Sequence, residues 1–366
     1  MHCDSNASGV NATESVTYRA VEKVMTNGSK DPKQVLTARD VAQLMGVSTS
    51  MISRAFNPEA SISPTMRKRI MEASAALGYR PNVIARSLST RSSKIVAIIV
   101  GTLENPFYAQ VLEKLSRELQ LAGYQSLLFS LAPGQDVDSQ LPFLVQYNVD
   151  AVVIVSASIS SGIANDWTRS GRKVILFNRT LPDASIPSVC CDNFTGAKLA
   201  VDHFVERGRR RLAFAAGRRD TSTNAERELG FISRLAELGK PFAAKADNPH
   251  CSFQDGYNAA LKLAAHKPDA IFFANDVMAL GGIEAIRKEL GLNVPDDIAV
   301  IGFDDIPMAA WPTYSLTTIR QPLDAMVESA VDLVSDQSGV DELRVVHPVQ
   351  LVERASTKAT SDEKVP

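Results

Sequence analysis

Residues 36 to 57 constrain the fold of this chain more than any other stretch of its 366 residues. Thr37 is a favourable helix N-cap, and Val41 and Ala42 begin the apolar side of a short helix. Gly46 interrupts that helix where a turn needs a positive φ, which glycine adopts without a steric penalty. The pattern therefore predicts a short helix that ends in a tight corner.

A second helix is predicted directly after this corner. Ser48 is its N-cap, and Ile52 lies on its apolar side, where it can fill the wedge between the two helices. The residues on its outward face are small and polar and include one guanidinium: Thr49, Ser50, Ser53 and Arg54. Two such helices predict a helix-turn-helix, whose second helix lies in the major groove of DNA. An ordinary corner between two helices can imitate this pattern, so that alternative stays open on these residues alone.

A third helix is indicated by Ser63, a good N-cap, and by Pro64, because proline is favoured at the first helical position. Residues 79 to 91 then read Tyr-Arg-Pro-Asn-Val-Ile-Ala-Arg-Ser-Leu-Ser-Thr-Arg. This order of motifs resembles the DNA-binding domain and hinge helix of the lactose-repressor (LacI/GalR) family of bacterial transcription regulators. The resemblance extends from about residue 36 to about residue 356.

The resemblance implies that the chain binds a double-stranded DNA operator as a homodimer. It places these helix-turn-helix residues at the DNA: Thr37, Ser48, Thr49, Ser50, Ser53, Arg54 and Asn57. It adds Asn82, Ala85 and Leu88 of the hinge helix, and Leu88 would enter the minor groove beside its dimer mate and kink the duplex. By composition alone, residues 81 to 93 could instead be a linker, since a helix this short needs DNA and a partner copy to form.

The charge distribution suits a polyanionic partner at one end of the chain. Residues 1 to 94 carry 13 Lys and Arg against 7 Asp and Glu, whereas the remaining residues carry 26 against 34. A basic head on an acidic body is typical of a protein whose head alone contacts nucleic acid. An uneven distribution by chance is the alternative explanation.

Composition argues against a membrane protein, an exported protein and a metalloprotein. No apolar run approaches the length of a transmembrane helix, and the N-terminus is polar where a signal peptide would have its apolar core. The cysteines have no metal-ligand spacing and are expected to be reduced thiols: Cys3, Cys190, Cys191 and Cys251. We therefore expect a cytoplasmic protein without a metal or a cofactor.

From Lys94 onward, apolar runs alternate with helical stretches. Seven runs are predicted to be buried parallel strands: 95–100, 126–129, 151–155, 174–177, 212–215, 270–273 and 298–301. The helices between them are predicted near 107–122, 138–147, 161–170, 195–207, 224–238, 254–266 and 277–290. The alternation predicts doubly wound parallel sheets, and the two sets of strands predict two lobes. A crossing near 316–322, a helix to about 336 and one strand near 345–352 complete the domain.

Polar and aromatic residues recur where these strands end, which is where doubly wound sheets bind ligands. Each alone could be a cap or a turn, but their recurrence at one edge indicates a shared cleft. The resemblance extends here to periplasmic sugar-binding proteins and implies these effector contacts: Phe107, Tyr108, Asn178, Arg227, Phe253, Asn275 and Asp304. Aromatic faces would cover the C–H patches of a sugar, while guanidinium, amide and carboxylate groups would bind its hydroxyls.

The predicted organisation is a helix-turn-helix domain joined to a two-lobed effector domain like a periplasmic binding protein. Its segments are a disordered extension at 1–33, the DNA-binding domain at 34–80, the hinge helix and linker at 81–93, the effector domain at 94–356 and a tail at 357–366. The tetramer-forming segment of the family is not found, which favours a dimer.

The predicted function is a ligand-responsive transcription regulator, a repressor of carbohydrate-metabolism genes that a sugar or a related small molecule switches. The alternative is an α/β enzyme acting on a small metabolite, with a fused DNA-binding head. Phosphate-binding, nucleophile-elbow and dinucleotide motifs are not found, so no positive sequence feature supports catalysis.

Overall fold

The structure, a computed structural model, describes residues 36–57, 60–80, 92–131, 137–139, 144, 146–155, 161–169, 171–181, 186–335 and 343–358. The chain divides into two compact units, Met1–Ser93 and Lys94–Pro366. Several predicted features lie outside the described residues: the extension at 1–33, the hinge residues Asn82, Ala85 and Leu88, half of the helix at 138–147 and most of the tail.

The first unit contains helices α1 (Ala38–Met45), α2 (Thr49–Ala55) and α3 (Pro64–Ala76). Thr37 caps α1 in a capping box, in which its hydroxyl donates to Asp40 at 2.7 Å and accepts the Asp40 backbone N–H at 3.3 Å. Gly46 ends α1 with φ of 67°, the left-handed conformation that the corner requires. The predicted helix-turn-helix is confirmed in this part of the chain.

A small apolar core holds the three helices together. Its buried residues come from all three helices and the turn after α3: Val41, Ala42, Ile52, Ala55, Ile70 and Tyr79. Phe56 packs edge-to-face on the Tyr79 ring, with ring centroids 5.9 Å apart. Burial of Ile52 and Ala55 fixes the rotation of α2 and therefore decides which of its side chains face solvent.

In chain order, the second unit begins with β1 (Ile95–Val100), α4 (Pro106–Leu121), β2 (Gln125–Ser130), β3 (Ala151–Val155), α5 (Ser161–Arg169), β4 (Lys173–Phe177) and β5 (Ser188–Cys191). It continues with α6 (Asn193–Glu206), β6 (Leu212–Ala215), α7 (Ser222–Glu237), β7 (Phe242–Ala246), α8 (Phe253–Ala264), β8 (Ala270–Phe273), α9 (Asp276–Lys288) and β9 (Ala299–Asp304). The last elements are β10 (Thr317–Arg320), α10 (Leu323–Ser335), β11 (Arg344–His347) and β12 (Gln350–Val352).

The strands form two six-stranded sheets, one in each lobe. The first has the order β11-β5-β4-β3-β1-β2 and is parallel throughout. The second has the order β12-β10-β9-β8-β6-β7 and is parallel except where β12 runs antiparallel to β10. Every residue of β3 and of β8 is buried, as expected for parallel strands with helices on both faces. The predicted two-lobed, doubly wound α/β architecture is confirmed.

The chain passes between the lobes at three places: after β5, after β10 and between β11 and β12. The prediction of one strand near 345–352 is wrong. Pro348 lies between two short strands, of which β11 pairs with β5 in the first sheet and β12 pairs with β10 in the second. The apolar pattern runs through this crossing without a break, so it could not reveal that the two halves belong to different sheets.

Candidate functional site

The outward face of α2 is the candidate DNA-reading surface. Thr49, Ser50, Ser53 and Arg54 are all exposed there. Ser48 caps the helix by accepting the Met51 backbone N–H at 3.2 Å, and its hydroxyl shares a hydrogen bond of 2.8 Å with that of Ser50. The structure thus brings the predicted reading residues of α2 onto one solvent-facing surface, and it leaves Arg54 as the longest of them.

Arg67 of α3 holds the far end of α2, and the sequence analysis did not single it out. Its Nη1 donates to the carbonyl oxygens of Ala55 at 3.0 Å and Asn57 at 2.7 Å, and its Nη2 donates to that of Ala60 at 2.8 Å. The Ala55 carbonyl belongs to the last residue of α2, where a helix leaves such groups without helical partners, and the other two lie in the turn that follows. Asn57, one of the predicted DNA contacts, is half-buried and held in place through this clamp.

The candidate effector site lies where strands of the two lobes end, and the Asp304 carboxylate joins them. Asp304 is the last residue of β9. One carboxylate oxygen accepts from Asn105 Nδ2, at the start of α4 in the first lobe, at 3.2 Å. The other accepts from Gln321 Nε2, at the crossing after β10, at 2.8 Å. A group that replaced either hydrogen bond would therefore act on both lobes.

Arg227 of α7 is the cation of this site and is only 5% exposed. Its Nε donates to Asn193 Oδ1 at 2.8 Å, and its Nη1 donates to the carbonyl oxygen of Ala274. The guanidinium carbon lies 3.5 Å from the centroid of the Phe303 ring, and Nη2 lies 3.7 Å from Asp304 Oδ1. The guanidinium plane is thus fixed by several contacts before any ligand binds.

Burial dominates the electrostatics of this site. It raises the pKa of Asp304, although the charge of Arg227 and the two amide hydrogen bonds act in the opposite direction. Asp276, at the start of α9, accepts from Thr318 Oγ1 at 2.5 Å and from the Ile306 backbone N–H at 2.9 Å. Burial, and then the negative charge of Asp304, raise the pKa of Asp276 well above its usual value. Polar contacts made in such a dry site are strong.

The two predicted amide contacts differ in their present bonding. Asn275 caps α9, since its side-chain oxygen accepts the Met278 N–H at 2.8 Å while its Nδ2 donates to the Cys251 carbonyl at 3.3 Å. Asn178 follows β4 in the left-handed conformation, with φ of 57°, and its buried Oδ1 has no hydrogen-bond partner within the described chain. Asn178 therefore offers a hydrogen-bond acceptor to a ligand, whereas Asn275 would have to give up its hydrogen bond to Met278 or Cys251 in order to bind one.

The aromatic residues lie at the starts of two helices. Phe107 is buried in the first turn of α4, and its ring packs edge-to-face on that of Tyr108 with centroids 5.4 Å apart. Phe253 begins α8 and is 40% exposed, so its ring is accessible. Tyr108 and Phe253 are therefore more exposed than Phe107, which is almost fully buried but still lines a cavity together with Asp304.

Further polar residues border the same edge and were not among the predicted effector contacts. Arg179 follows Asn178, and burial, together with the nearby charge of Arg218, lowers its pKa. Arg218 binds Asp220 through two hydrogen bonds of 3.0 and 2.5 Å, and its backbone N–H donates to the Cys251 sulfur at 3.3 Å. Arg179 lies two residues beyond the end of the predicted strand at 174–177, among the polar residues that follow strand ends, but it was not one of the predicted effector contacts.

Other site chemistries find no support in the described part of the chain. It contains no group of three or more His, Cys, Asp or Glu side chains placed to hold a metal ion. Its helices include none that is both long and apolar enough to span a lipid bilayer.

Comparison with known proteins identifies the two units. Residues 37–82 match the model of bacterial regulatory proteins of the lacI family, and residues 201–357 match a periplasmic binding protein-like domain. The ribose operon repressor of Bacillus subtilis is 30% identical over 328 residues, which cover 88% of this chain and 98% of that relative. The chain belongs to the LacI family of bacterial regulatory proteins.

Three further proteins are similar to this chain over most of its length. The transcriptional regulator GalS of Salmonella typhimurium is 28% identical over 320 residues, covering 86% of this chain and 93% of the relative. The lac repressor dimer bound to operator and the anti-inducer ONPF superposes with a TM-score of 0.80 at 24% identity, over 89% of this chain and 100% of that chain. A complex of the regulator CelR with cellobiose has a TM-score of 0.66 at 27% identity, over 88% of this chain and 99% of that chain.

Proposed function

We propose that the chain is a cytoplasmic transcription repressor of carbohydrate-metabolism genes that binds a palindromic operator as a homodimer. A sugar or a related small molecule makes it release or bind that operator. The observation that carries this proposal is the buried pair of Arg227 and Asp304, which lies at the junction of the two lobes. The Asp304 carboxylate accepts hydrogen bonds from Asn105 in the lobe of β1 and from Gln321 in the crossing after β10.

The DNA-binding end supports the proposal through the exposed face of α2. Arg54 is the residue that can reach a guanine edge with two hydrogen bonds, and Thr49, Ser50 and Ser53 can reach bases or phosphates only at close range. Thr37, Ser48 and Asn57 would contact the phosphate backbone, which positions the helix without reading sequence. The assignment of Asn82, Ala85 and Leu88 to a minor-groove hinge rests on the family resemblance.

The effector-binding end supports a polyhydroxylated ligand. Asn178 Oδ1 offers an acceptor, Arg227 offers donors and Asp304 offers acceptors, which together match vicinal hydroxyls. Among its relatives, one is named a ribose operon repressor and one regulator is in complex with cellobiose. Others are named PurR, so a purine belongs in any ligand screen.

The switch would operate through the bonds that Asp304 makes to both lobes. An effector hydroxyl that displaced Asn105 or Gln321 from the carboxylate would favour another angle between the lobes. A coupling free energy of about 1–3 kcal/mol between effector and operator would change operator affinity by about 5- to 150-fold.

The test begins with thermal unfolding of the full-length chain against sugars, sugar acids, sugar phosphates and purines. A ligand at about 100 times its dissociation constant adds about 2.7 kcal/mol to the unfolding free energy. Operator sites are then selected from random duplexes, and fluorescence anisotropy measures operator affinity with and without the hit. A hit that leaves operator affinity unchanged would contradict the proposed switch.

A variant at the site sharpens this test. Asp304→Ala should abolish the response to the effector, while effector-free binding to the operator persists, if the effector releases the repressor. Asp166→Ala, the same change at an exposed position of α5, is the matched control and should respond as the wild type does. Because Asp304→Ala leaves Arg227 buried without its carboxylate, circular dichroism first checks that the variant is folded. Loss of effector-free DNA binding in the folded Asp304→Ala protein, but not in Asp166→Ala, would contradict the assignment of this carboxylate to the effector site.

The enzyme alternative is tested with the same hit. Incubating the stabilising ligand with the protein and following it by mass spectrometry should return the ligand unchanged. Catalytic consumption of the ligand would instead favour an α/β enzyme with a DNA-binding head.

A further inference from the structure

A second polar connection between the lobes begins with two residues that are not among the proposed effector contacts. Arg344, the first residue of β11, donates from Nη2 to Glu226 Oε1 at 2.5 Å. β11 belongs to the sheet of the first lobe, whereas Glu226 lies in α7 of the second lobe, between β6 and β7. The side chains of Glu226 and Arg344 are 24% and 48% exposed, so this ion pair joins the two lobes near the protein surface.

The other oxygen of the Glu226 carboxylate leads from this surface into the interior. Oε2 accepts from Nδ2 of Asn193 at 3.1 Å, and Asn193 is only 1% exposed. Asn193 begins α6, and its Nδ2 also donates at 3.3 Å to the carbonyl oxygen of Cys191, the last residue of β5. Asn193 therefore lies where the chain passes from the first lobe to the second.

The amide of Asn193 can point only one way between its two charged neighbours. A guanidinium has donors and no acceptor, whereas a carboxylate has acceptors and no donor. The Asn193 oxygen therefore faces Arg227, whose Nε donates to it at 2.8 Å, and the Asn193 nitrogen faces Glu226. The result is an unbroken chain of hydrogen bonds, which we call the interlobe relay: Arg344, Glu226, Asn193 and Arg227.

The inner end of the interlobe relay fixes the plane of the Arg227 guanidinium. Nε is held by Asn193, and Nη1 is held by the carbonyl oxygen of Ala274. The guanidinium is planar, so a rotation of the group would break at least one of these two bonds. Hydrogen bonds in a dry site polarise one another, and a change at the outer end of the relay therefore alters the bond between Asn193 and Arg227.

We propose that Asn193, Glu226 and Arg344 are positioning residues, which hold the Arg227 guanidinium and couple its orientation to the angle between the lobes. This inference rests on the proposed function, in which Arg227 contacts the effector. Rotation of one lobe against the other moves Arg344 relative to Glu226 and so lengthens or breaks the outer bond of the relay. The relay thus links Arg227 to the lobe angle through protein groups alone.

The first experiment observes Arg227 directly in the full-length chain, with no ligand or DNA added. Nitrogen NMR of protein that contains isotope-labelled arginine gives an Nε–H signal for Arg227. This signal is identified by its loss in Arg227→Lys, a change that keeps a cation beside Asp304. It is then compared in Arg344→Met, in Arg344→Lys and in the matched control Arg169→Met, an exposed arginine of α5 that also pairs with a carboxylate.

We expect the Arg227 signal to shift in Arg344→Met and to return most of the way in Arg344→Lys, which restores a cation facing Glu226. Arg169→Met should leave the signal at its wild-type position. A signal that does not move in Arg344→Met would overturn the proposal. A shift of equal size in Arg169→Met, or in Arg344→Lys, would also overturn it, because the effect would then not depend on the charge at this position.

The second experiment measures the effector-free affinity for the selected operator by fluorescence anisotropy. Glu226→Gln and Arg344→Met each break the ion pair, so both should change the dissociation constant in the same direction, by about twofold to fivefold. The double variant should change it no more than the larger single change, because both substitutions remove the same bond. Additive changes, or unchanged affinity in both single variants, would overturn the coupling to the lobe angle. A wild type that binds no selected duplex would refute the proposed function instead, while the Arg227 signal still decides whether the relay positions Arg227.

Discussion

Replacing Arg227 by methionine should strongly destabilise the two-lobed unit, because it removes the cation that faces a buried carboxylate. Both side chains are almost fully buried, with Nη2 and Oδ1 at 3.7 Å, so solvent cannot compensate Asp304. Removal of one partner of a buried ion pair typically costs about 3–5 kcal/mol. The variant also loses the hydrogen bonds to Asn193 and Ala274 and the contact with Phe303, which places the expected loss at the upper end of that range.

The loss should depend on pH in a defined direction. Without the guanidinium, the pKa of Asp304, already raised by burial, rises further. The folded state then holds a proton that the unfolded chain has released at neutral pH, so the variant regains stability as pH falls. Adding Asp304→Asn removes the charge and should restore about half or more of the lost free energy at neutral pH, with little pH dependence left at this position.

Urea unfolding followed by tryptophan fluorescence measures this effect directly, because both tryptophans, Trp167 and Trp311, lie in the two-lobed unit. Arg169→Met, at an exposed position of α5, is the control and should change the unfolding free energy by less than about 0.5 kcal/mol. The reasoning would be refuted if the unfolding free energy of Arg227→Met lay within about 1 kcal/mol of the wild-type value. It would also be refuted if adding Asp304→Asn to Arg227→Met lowered the unfolding free energy further.

Three further predictions concern other parts of the chain. Arg67→Met should lower the affinity for both specific and non-specific DNA, measured by fluorescence anisotropy, because it removes the three hydrogen bonds that hold the end of α2. A hydrogen bond from a charged group typically contributes about 1.5–3 kcal/mol. An unchanged DNA affinity would contradict the role of Arg67. The raised pKa of Asp276 makes the wild type lose stability as pH rises, by up to about 1.4 kcal/mol per pH unit. Asp276→Asn should therefore flatten the dependence of the unfolding free energy on pH. If the unfolding free energies of variant and wild type change in parallel with pH, this prediction is contradicted. Leu88→Ala should weaken binding to a selected operator more than to random duplex, and equal losses would contradict the hinge assignment.

The fold could be predicted from the sequence wherever one element buries a continuous apolar run. All seven predicted strands are present, and six of them are buried along most of their length, as strands covered on both faces must be. The prediction of a buried strand at 126–129 is wrong in its burial, because β2 lies at the edge of its sheet and is partly exposed. The sequence analysis missed β5, β7 and β10. β7 is an edge strand with the sequence Phe-Ala-Ala-Lys-Ala, and β5 and β10 are only four residues long, so the apolar pattern within each is weak. These segments are strands because they pair with neighbouring strands, which cannot be seen in their own residues.

The candidate site was predictable only in part. Arg227 and Asp304 are brought together as the resemblance implies, although they are 77 positions apart. The groups that hold them, Asn105, Asn193 and Gln321, carry no sequence signal, because each resembles an ordinary turn or cap residue until the lobes pack. The contacts with an effector and with DNA stay predictions for all the residues named, and the experiments above address them.

The most direct test of the central claim is the affinity of the full-length chain for its selected operator, measured by anisotropy with and without the ligand that stabilises it. If the two-lobed unit controls the DNA-binding unit, the ligand should change the dissociation constant by about fivefold or more, and Asp304→Ala should remove that change. An operator affinity that stays constant while the ligand saturates the protein would contradict the claim that this LacI-family chain is a ligand-controlled repressor.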